Sequence, residues 1–461
     1  MIDLKQKYKN EKRGYNFIDI ENPNGTRTAE FHTGHIHYKS GTEFKPINAN
    51  LVKTGSIYQV KDASYSCIVP EYADDWFTFT NLFGTGSADS IRMKPIGAQH
   101  VLGSKLDDYT VWYENAMGSG ISLKTTSNNQ TFKKEFVLGS KLNYADVNLS
   151  FEVAGSITSF SSDGISYTID DLKSLTKFGD LKLIANKETL IKQPIISDSG
   201  EEPKSQNIKF AIDLDNKKLK LTKVLPKEFL SGATYPVYTD DTTSYFSIAT
   251  GDGSVKMSSG LSWDTIHNET NGIQISTGSF IQILTGSGAT TYICRAFFPF
   301  DTSGLSANAI FVSGVIGIHP YIIIDIDNDG NDFIAVVGST TQAGTGSLIL
   351  SDYSKCGSTH NPVLCTGSID IGTMASGTAA LFVLNASGLS IINKTGISYF
   401  GMREGHDIND HPVSDGAGIY CWGSEKANTK DDPYLTVYYT TGGAPPAITS
   451  YPMTISLGTM V

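Results

Sequence analysis

Four aspartates in one short segment are the residues of this sequence best suited to binding a metal ion. Asp325, Asp327, Asp329 and Asp332 surround Gly330 in the stretch DIDNDGND. The DxDxDG spacing allows three carboxylates to converge on Ca²⁺, and the glycine permits the sharp turn that brings them together. These four aspartates are therefore the candidate metal ligands, and Ca²⁺ is the one cofactor that the sequence predicts.

The rest of this segment departs from the EF-hand pattern. An EF-hand loop carries a ligand at its ninth position and a glutamate at its twelfth. Phe333 and Val336 stand at those positions here, and Asp332 comes one place early. The alternative is a solvated hairpin turn without an ion, between predicted strands over Tyr321–Ile324 and Phe333–Val337.

The densest group of titratable residues is the stretch REGHDINDH, from Arg403 to His411. It holds two imidazoles and three carboxylates within nine residues. A metal site or an acid–base pair is one interpretation. Gly405 and Pro412 favour the other interpretation, a polar loop in which Asp and His side chains bind nearby backbone groups.

A third group of candidate ligands, His32, His35 and His37, has the spacing HxxHxH. In a strand His35 and His37 lie on one face, where they can bind a transition metal or, in a trimer, form a six-histidine site. The alternative is a set of ordinary histidines on an exposed strand face.

Motifs of covalent hydrolysis are absent from the sequence, which has neither a GxSxG elbow nor an HExxH pair. The carboxylates of glycosidases leave almost no local signature, so a polysaccharide-degrading enzyme stays an alternative. The five cysteines have no CxxC spacing, which argues against a structural zinc site. Only Cys356 and Cys365 are placed to form a disulfide, across a short loop.

Short strands joined by tight turns must position these residues. Apolar and polar residues alternate with the two-residue period of a strand in segments such as Ser64–Val69 and Trp76–Thr80. Pairs such as Asn24-Gly25 supply the positive φ of tight hairpins. Helical periodicity is confined to short stretches at Asp170–Thr176 and Leu225–Leu230. The chain is therefore predicted to be all-β and multi-domain, with antiparallel β-sandwich or jelly-roll domains.

Composition argues against two classes of partner. The 461 residues include 47 acidic and 36 basic ones, for a formal net charge of −11. No stretch concentrates the positive charge that neutralises a phosphate backbone, so nucleic acid is not an expected partner. The most apolar stretch, Ala309–Ile326, is interrupted by glycine, proline and histidine. Two strands around a turn are predicted there, and membrane insertion is not expected.

A polar, turn-rich stretch at Pro236–Tyr245 separates two halves of different composition. We predict an N-terminal arm over 1–27 and a β-rich domain over 28–240, with two sub-domains as an alternative. A β-sandwich over 243–441 and an extended tail over 442–461 complete the chain. The arm and the tail are candidates for docking to neighbouring subunits, because such segments gain order only by packing against a partner.

Several short motifs resemble known modules. The segments His35–Asn48 and Leu225–Val237 resemble the two ends of a module found in Rhs-like and wall-associated bacterial surface proteins and in uncharacterised tailed-phage proteins. Arg295–Leu305, Phe400–Asp407 and Asp432–Tyr439 resemble the β-sandwich that follows it, which is similar to a carbohydrate-binding module or jelly roll. The resemblance implies a virion or cell-surface architecture and carries no catalytic residues.

The resemblance, the acidic charge and an N-terminus without the apolar core of a signal peptide together predict a structural protein on the exterior of a phage virion. We expect it to be non-enzymatic, to assemble in the host cytoplasm, and to serve as a capsid decoration, head-fibre or tail protein. The expected partners are other virion proteins, including copies of this chain in a homo-oligomer. The alternatives are a receptor-binding adhesin, whose sandwich holds host surface glycans through exposed aromatic residues, and the polysaccharide-degrading enzyme.

Overall fold

The computed structural model describes most of the chain as β-structure. About 53 % is strand and 9 % is helix, so the prediction of an all-β, multi-domain protein is confirmed. The described residues are 2–83, 89–118, 120–141, 147–162, 165–168, 175–176, 181–184, 187–191, 193–200, 204–215, 218–244, 251–277, 280–288, 290–327, 329–339, 348–424, 426 and 429–442.

The first 25 strands of the described residues come before residue 245. Many follow the predicted alternation, as in the segment Tyr65–Pro70, where Tyr65, Cys67 and Val69 are buried and the residues between them are partly exposed. The strands are β1 (Lys12–Arg13), β2 (Phe17–Glu21), β3 (Arg27–His32), β4 (His37–Ser40), β5 (Glu43–Pro46), β6 (Val52–Thr54), β7 (Ile57–Val60), β8 (Tyr65–Pro70), β9 (Phe77–Asn81), β10 (Asp89–Pro95), β11 (Ser104–Lys105), β12 (Thr110–Tyr113), β13 (Ile121–Ser127), β14 (Thr131–Leu138), β15 (Val147–Gly155), β16 (Ser159–Ser162), β17 (Ile165–Thr168), β18 (Leu175–Thr176), β19 (Leu181–Ile184), β20 (Glu188–Ile191), β21 (Ile195–Ser197), β22 (Ser205–Asn207), β23 (Lys209–Asp215), β24 (Lys218–Leu225) and β25 (Val237–Ser244).

Twelve further strands and most of the helical turns follow. The strands are β26 (Gly253–Ser259), β27 (Gln274–Ser276), β28 (Phe280–Gly286), β29 (Thr291–Asp301), β30 (Ala309–Ile318), β31 (Pro320–Asp325), β32 (Phe333–Gly338), β33 (Ile369–Asp370), β34 (Ala380–Val383), β35 (Ile397–Glu404), β36 (Gly416–Trp422) and β37 (Tyr434–Thr441). The helices are α1 (Lys227–Gly232), α2 (Trp263–His267), α3 (Ala386–Ile391) and α4 (Gly405–Asn409), with 3₁₀ turns at Leu350–Lys355, Ile371–Thr373 and Thr429–Asp431.

The N-terminal sandwich is built from two antiparallel sheets. One has the order β18-β23-β24-β15-β10-β9-β8-β7-β6, and the other has β11-β12-β13-β14-β25-β20-β19-β16-β17, with β21 and β22 beside β25. The apolar faces of both sheets meet in one core, which runs from Leu51 to Val237. Because this core is continuous, the described residues do not divide into the two sub-domains of the alternative prediction.

The C-terminal sandwich holds the candidate functional residues. Its smaller sheet has the order β1-β2-β3-β37-β30-β34, and its larger sheet has β31-β36-β28-β29-β35-β32-β33, with β26 and β27 beside β29. A main core lies between the two sheets. A second, smaller core lies around β26, α2 and Tyr353. The apolar stretch Ala309–Ile326 forms β30 and β31 around His319, as predicted, and its two strands belong to different sheets.

The predicted N-terminal arm and domain boundary differ from the structure. Residues 1–27 include β1 and β2, and β3 pairs with β37 in register from Arg27↔Tyr439 to His32↔Tyr434. The physical reason is burial, since Ile18, Ala29 and Phe31 are fully buried in the C-terminal sandwich. The N-terminal sandwich is thus inserted between β3 and β26. The predicted tail 442–461 lies, apart from Gly442, outside the described residues.

The two cysteines predicted as a disulfide candidate are free thiols. Cys356 contributes to the smaller core and Cys365 to the main core of the C-terminal sandwich. Burial raises the pKa of the Cys356 thiol to about 12, so the thiol is protonated at neutral pH.

Candidate functional site

Helix α4 brings together the two sequence motifs with the most titratable residues. Its N-cap is Glu404, the last residue of β35, whose carboxylate accepts a hydrogen bond from the backbone N–H of His406 at 3.0 Å. Gly405 has no side chain to separate α4 from the aspartate-rich loop after β31, and a Cβ built there lies 2.0 Å from the carbonyl oxygen of Asn331. This close approach places the aspartate-rich loop directly against α4.

The His406 cluster, formed by Asp327, Asp329, Glu404, His406 and His411, is the result of this packing. Nε2 of His406 lies 3.2 Å from Oδ2 of Asp327 and 3.3 Å from Oδ1 of Asp329. Nδ1 of His411 lies 3.2 Å from Oδ2 of Asp329. His406 is completely buried, whereas His411 is half exposed, so the cluster opens to solvent on one side.

Glu404 fixes the orientation of the His406 ring. Its Oε1 lies 2.8 Å from Nδ1 of His406, and its Oε2 accepts a hydrogen bond from Oγ1 of Thr285 at 2.7 Å. Because an ionised carboxylate only accepts hydrogen bonds, this contact assigns a proton to Nδ1. The other nitrogen, Nε2, therefore faces the two aspartates.

The charges in the His406 cluster shift its pKa values in opposite directions. Burial by itself lowers the pKa of His406, but its hydrogen bond to Glu404 and the surrounding carboxylates raise that pKa above the ordinary value. Burial raises the pKa of Asp327, but its hydrogen bonds from Ser414 and the charge of His406 lower that pKa overall. The site is therefore one that favours positive charge at its centre.

The four aspartates of the predicted Ca²⁺ site divide into two pairs. Asp327 and Asp329 belong to the His406 cluster. Asp325 and Asp332 lie near Asp370, and burial together with these two negative charges raises the pKa of Asp325. Oδ1 of Asp332 is buried and has no hydrogen-bond partner among the described residues. Calcium binding by all four residues stays a prediction.

A second histidine cluster lies near the opposite end of α4 and consists of His267, His360 and Asp410. Nδ1 of His267 lies 3.3 Å from Oδ1 of Asp410, and Nδ1 of His360 lies 3.0 Å from Oδ2. The three residues can supply metal ligands. Nε2 of His267 donates to the backbone carbonyl of Asp407 at 2.9 Å and lies 3.3 Å from the Arg403 guanidinium.

A buried ion network beside this second cluster links α4 to the sheet. Asp407 accepts hydrogen bonds from Arg295 at 2.7 and 2.9 Å and from Arg403 at 2.5 and 2.8 Å. All three side chains are inaccessible to solvent. Burial alone raises the pKa of Asp407, but the two guanidinium groups hold it far below its usual range. Asp407 thus has a structural role.

The HxxHxH histidines have separate partners and do not converge. Nδ1 of His37 donates to the carbonyl of Gly14 at 2.8 Å, and Nε2 of His32 lies 3.1 Å from Oε1 of Glu30. The ring of His35 stacks on Tyr15 at 5.0 Å. None of the metal-compatible groups found among the described residues includes these histidines. The structure therefore does not support a metal site at this motif.

An exposed aromatic patch, formed by Phe280, Tyr321 and Trp422, lies on the larger sheet of the C-terminal sandwich. The ring centroids of Tyr321 and Trp422 are 4.4 Å apart, and Phe280 lies 5.2 and 5.0 Å from them. Phe280 is 39 % exposed and Tyr321 is 41 % exposed. Nζ of Lys426 lies 3.7 Å from the Trp422 ring centroid. The exposed rings of Phe280 and Tyr321 therefore lie beside the ion pair of Lys426 and Asp431.

Strand register explains how the aromatic patch forms. Phe280 on β28 pairs with Trp422 on β36, and the β-bulge between Pro320 and Ile322 on β31 contains Tyr321. The adjacent residues Ile281 and Cys421 point into the main core, so Phe280 and Trp422 point away from it. Sequence reasoning predicts exposed aromatics in this sandwich but cannot single out these three, because they are distant in sequence and no local pattern connects them.

Comparison with known proteins gives no family assignment. No protein-family model matches the chain, and no curated protein shows significant sequence similarity to it. Among the described residues, no helix has the length and apolar character needed to cross a bilayer.

Proposed function

We propose that this protein is a non-enzymatic surface protein of a phage particle whose C-terminal sandwich binds host-surface carbohydrate. The observation that carries the proposal is the aromatic patch of Phe280, Tyr321 and Trp422. The electron-rich face of an aromatic ring attracts the C–H groups on the apolar face of a sugar ring, and stacking removes both surfaces from water. Two of these rings are more than one-third exposed.

Polar groups next to the patch suit the hydroxyl groups of a sugar. Nζ of Lys426 pairs with the carboxylate of Asp431 and lies over Trp422. A sugar stacked on Tyr321 or Phe280 would meet a donor and an acceptor at the edge of the same patch. This combination of apolar surface with a few oriented polar groups is the usual composition of a small-ligand site.

Placement on the exterior of a particle is supported by charge and by the motifs that resemble phage and bacterial surface modules. The chain carries a formal net charge of −11, which is unsuited to lining packaged DNA. The expected partners are other virion proteins and further copies of this chain. Imaging of intact particles by cryo-EM, with the protein located by its fold, would test this placement, and its absence from particles would refute it.

Carbohydrate binding is tested by applying the purified full-length chain to an array of bacterial surface glycans. We expect retention on a restricted set of glycans. The double variant Phe280→Ala/Tyr321→Ala should lose this retention, while Tyr438→Ala should keep it. Tyr438 is the matched control because it is also 41 % exposed, on the smaller sheet of the same sandwich. No retention of the wild-type protein on any glycan would contradict the proposal.

A further inference from the structure

The buried nitrogen Nε2 of His406 has no hydrogen-bond partner among the described residues. It nevertheless lies 3.2 and 3.3 Å from carboxylate oxygens of Asp327 and Asp329. With the ring proton on Nδ1, held by Glu404, Nε2 presents a lone pair to two negatively charged groups. This arrangement is repulsive unless Nε2 takes up a second ring proton or a metal cation lies between the three side chains.

The donor atoms of Asp329, His406 and His411 lie close enough together to share a small divalent ion. The three contacts among Asp327, Asp329, His406 and His411 measure 3.2, 3.3 and 3.2 Å. In a tetrahedral zinc site with bonds of about 2.1 Å, neighbouring ligand atoms are about 3.4 Å apart. The donors of Asp329, His406 and His411 all lie within 4.8 Å of one another.

We propose that Asp329, His406 and His411 bind a divalent transition-metal ion, with Zn²⁺ as the best match and Asp327 as a neighbouring negative charge. Two imidazoles and one carboxylate are a ligand set that Zn²⁺ takes, whereas Ca²⁺ takes six to eight oxygen ligands. Glu404 acts as the positioning residue, because a carboxylate that accepts the second ring proton of a ligating histidine is a recurrent feature of zinc sites. The bound ion joins the aspartate-rich loop to α4.

The second histidine cluster is the less suitable site for a cation. It contains one carboxylate, Asp410, and its buried histidine, His267, lies 3.3 Å from the guanidinium of Arg403. His267 also lies 3.4 Å from the carboxylate of Asp407, which pairs with both Arg295 and Arg403. The backbone carbonyl of His267 also binds Arg295. Asp407 neutralises only part of the charge of these two arginines, whereas the His406 cluster has three carboxylates and, among the described residues, no arginine or lysine in its ion pairs.

The test uses the full chain, produced without a histidine tag and stripped of metal with a chelator. Titration with Zn²⁺ is followed by calorimetry, and titration with Co²⁺ is followed by the visible absorption of a four-coordinate ion. We expect one strongly bound ion per chain and an affinity at least tenfold lower in His411→Ala and in Asp329→Asn. His360→Ala is the matched control, because His360 and His411 are each 53 % exposed and each contacts one aspartate.

The outcomes of this test separate the two clusters. Unchanged binding in His360→Ala together with loss in His411→Ala supports the proposal, and circular dichroism of the metal-free variants checks that both fold. Loss in His360→Ala with full binding in His411→Ala would place the ion in the second cluster and overturn the proposal. Absence of Zn²⁺ binding, or displacement of Zn²⁺ by equimolar Ca²⁺, would overturn it as well.

Discussion

At the scale of single residues, Asp407 balances the buried positive charge of the C-terminal sandwich. Its carboxylate meets both Arg295 and Arg403, and all three groups are cut off from water. Removing this carboxylate takes away the counter-charge that both buried guanidinium groups contact. The backbone carbonyls of Tyr353 and Ser358 also accept bonds from these arginines but carry no net charge.

We therefore predict that Asp407→Asn lowers the free energy of unfolding by about 3–5 kcal/mol, the range for breaking one side of a buried ion pair. Urea unfolding of the full chain measures the change. Asp264→Asn is the control, because Asp264 is exposed on α2 and its substitution should change the stability by less than about 0.5 kcal/mol. Equal stability of the two variants would show that the network does not stabilise the fold.

His37 provides a pH-dependent contribution at the same scale. Its Nδ1 donates to Gly14, and its Nε2 accepts from the guanidinium of Arg13 at 3.0 Å. Burial, together with the charge of Arg13, lowers the pKa of His37 to about 4. The unfolded chain has an ordinary histidine pKa of about 6.5. Between these two pKa values the proton binds only to the unfolded state. The contribution of neutral His37 to the free energy of unfolding is therefore complete above pH 6.5 and is lost as the pH falls toward 4.

The variant His37→Gln, which keeps one donor and one acceptor but does not titrate, should be less sensitive to acid. Between pH 7.5 and pH 4.5 we expect its loss of unfolding free energy to be smaller than that of the wild type by roughly 2–3 kcal/mol. Hydrogen exchange of the amides of β3, compared at the two pH values, measures the difference. An equal acid-induced loss of unfolding free energy in His37→Gln and in the wild type would show that His37 does not cause the acid sensitivity.

At the scale of elements, the contact between α4 and the aspartate-rich loop builds the His406 cluster. Gly405 makes this contact possible, because a Cβ there would lie 2.0 Å from the carbonyl oxygen of Asn331. Asn409 at the other end of α4 adds a hydrogen bond of 2.8 Å to the side chain of Asn331. The cluster therefore depends on a short separation between two backbone segments.

Gly405→Ala should push the loop away from α4 and reduce Zn²⁺ affinity at least tenfold, with a lower melting temperature. Gly367→Ala is the control, because a Cβ at Gly367 meets no atom within 4 Å. Calorimetric titration and thermal unfolding of both variants provide the two measurements. Wild-type Zn²⁺ affinity in Gly405→Ala would show that the loop contact does not position the ligands.

The same elements show what sequence reasoning can predict. The alternation of apolar residues predicts β8 and β9 nearly to their ends, and the two motifs that form the His406 cluster stand out by their titratable residues. The contact between these two motifs could not be predicted from sequence. It depends on the positions of β31 and β35 within one sheet and on the close approach of Gly405 to Asn331. Spacing within the DxDxDG motif favours Ca²⁺, whereas histidines from a distant segment favour Zn²⁺.

At the scale of the whole molecule, the first strands complete a sandwich whose other strands come from the far end of the chain. A polar, lysine-rich beginning suggests an arm, but Phe17 packs against the main core and Ile18 is fully buried. Local composition does not report this pairing, because β3 and β37 are separated by about four hundred residues. The excess of acidic over basic residues, by contrast, is a property of the whole chain and follows directly from its composition.

Deletion of residues 2–21 removes β1 and β2 and should destabilise the C-terminal sandwich selectively. Each buried side chain of the size of Phe or Ile contributes about 1.5–3 kcal/mol to the free energy of unfolding. The deletion should therefore lower that free energy by several times the effect of a surface substitution. Hydrogen exchange should accelerate in β3 and β37 and stay unchanged in β13 and β14, which serve as the internal control. Unchanged exchange in β37 would mean that the segment behaves as a detachable arm.

Carbohydrate binding by the aromatic patch is tested most directly by calorimetric titration of the full chain with a glycan retained on the array. We predict that Tyr321→Ala and Phe280→Ala each reduce the affinity at least tenfold, while Tyr438→Ala, equally exposed on the other sheet, binds as the wild type does. Equal affinities in all four proteins would contradict the assignment of the patch as the glycan site.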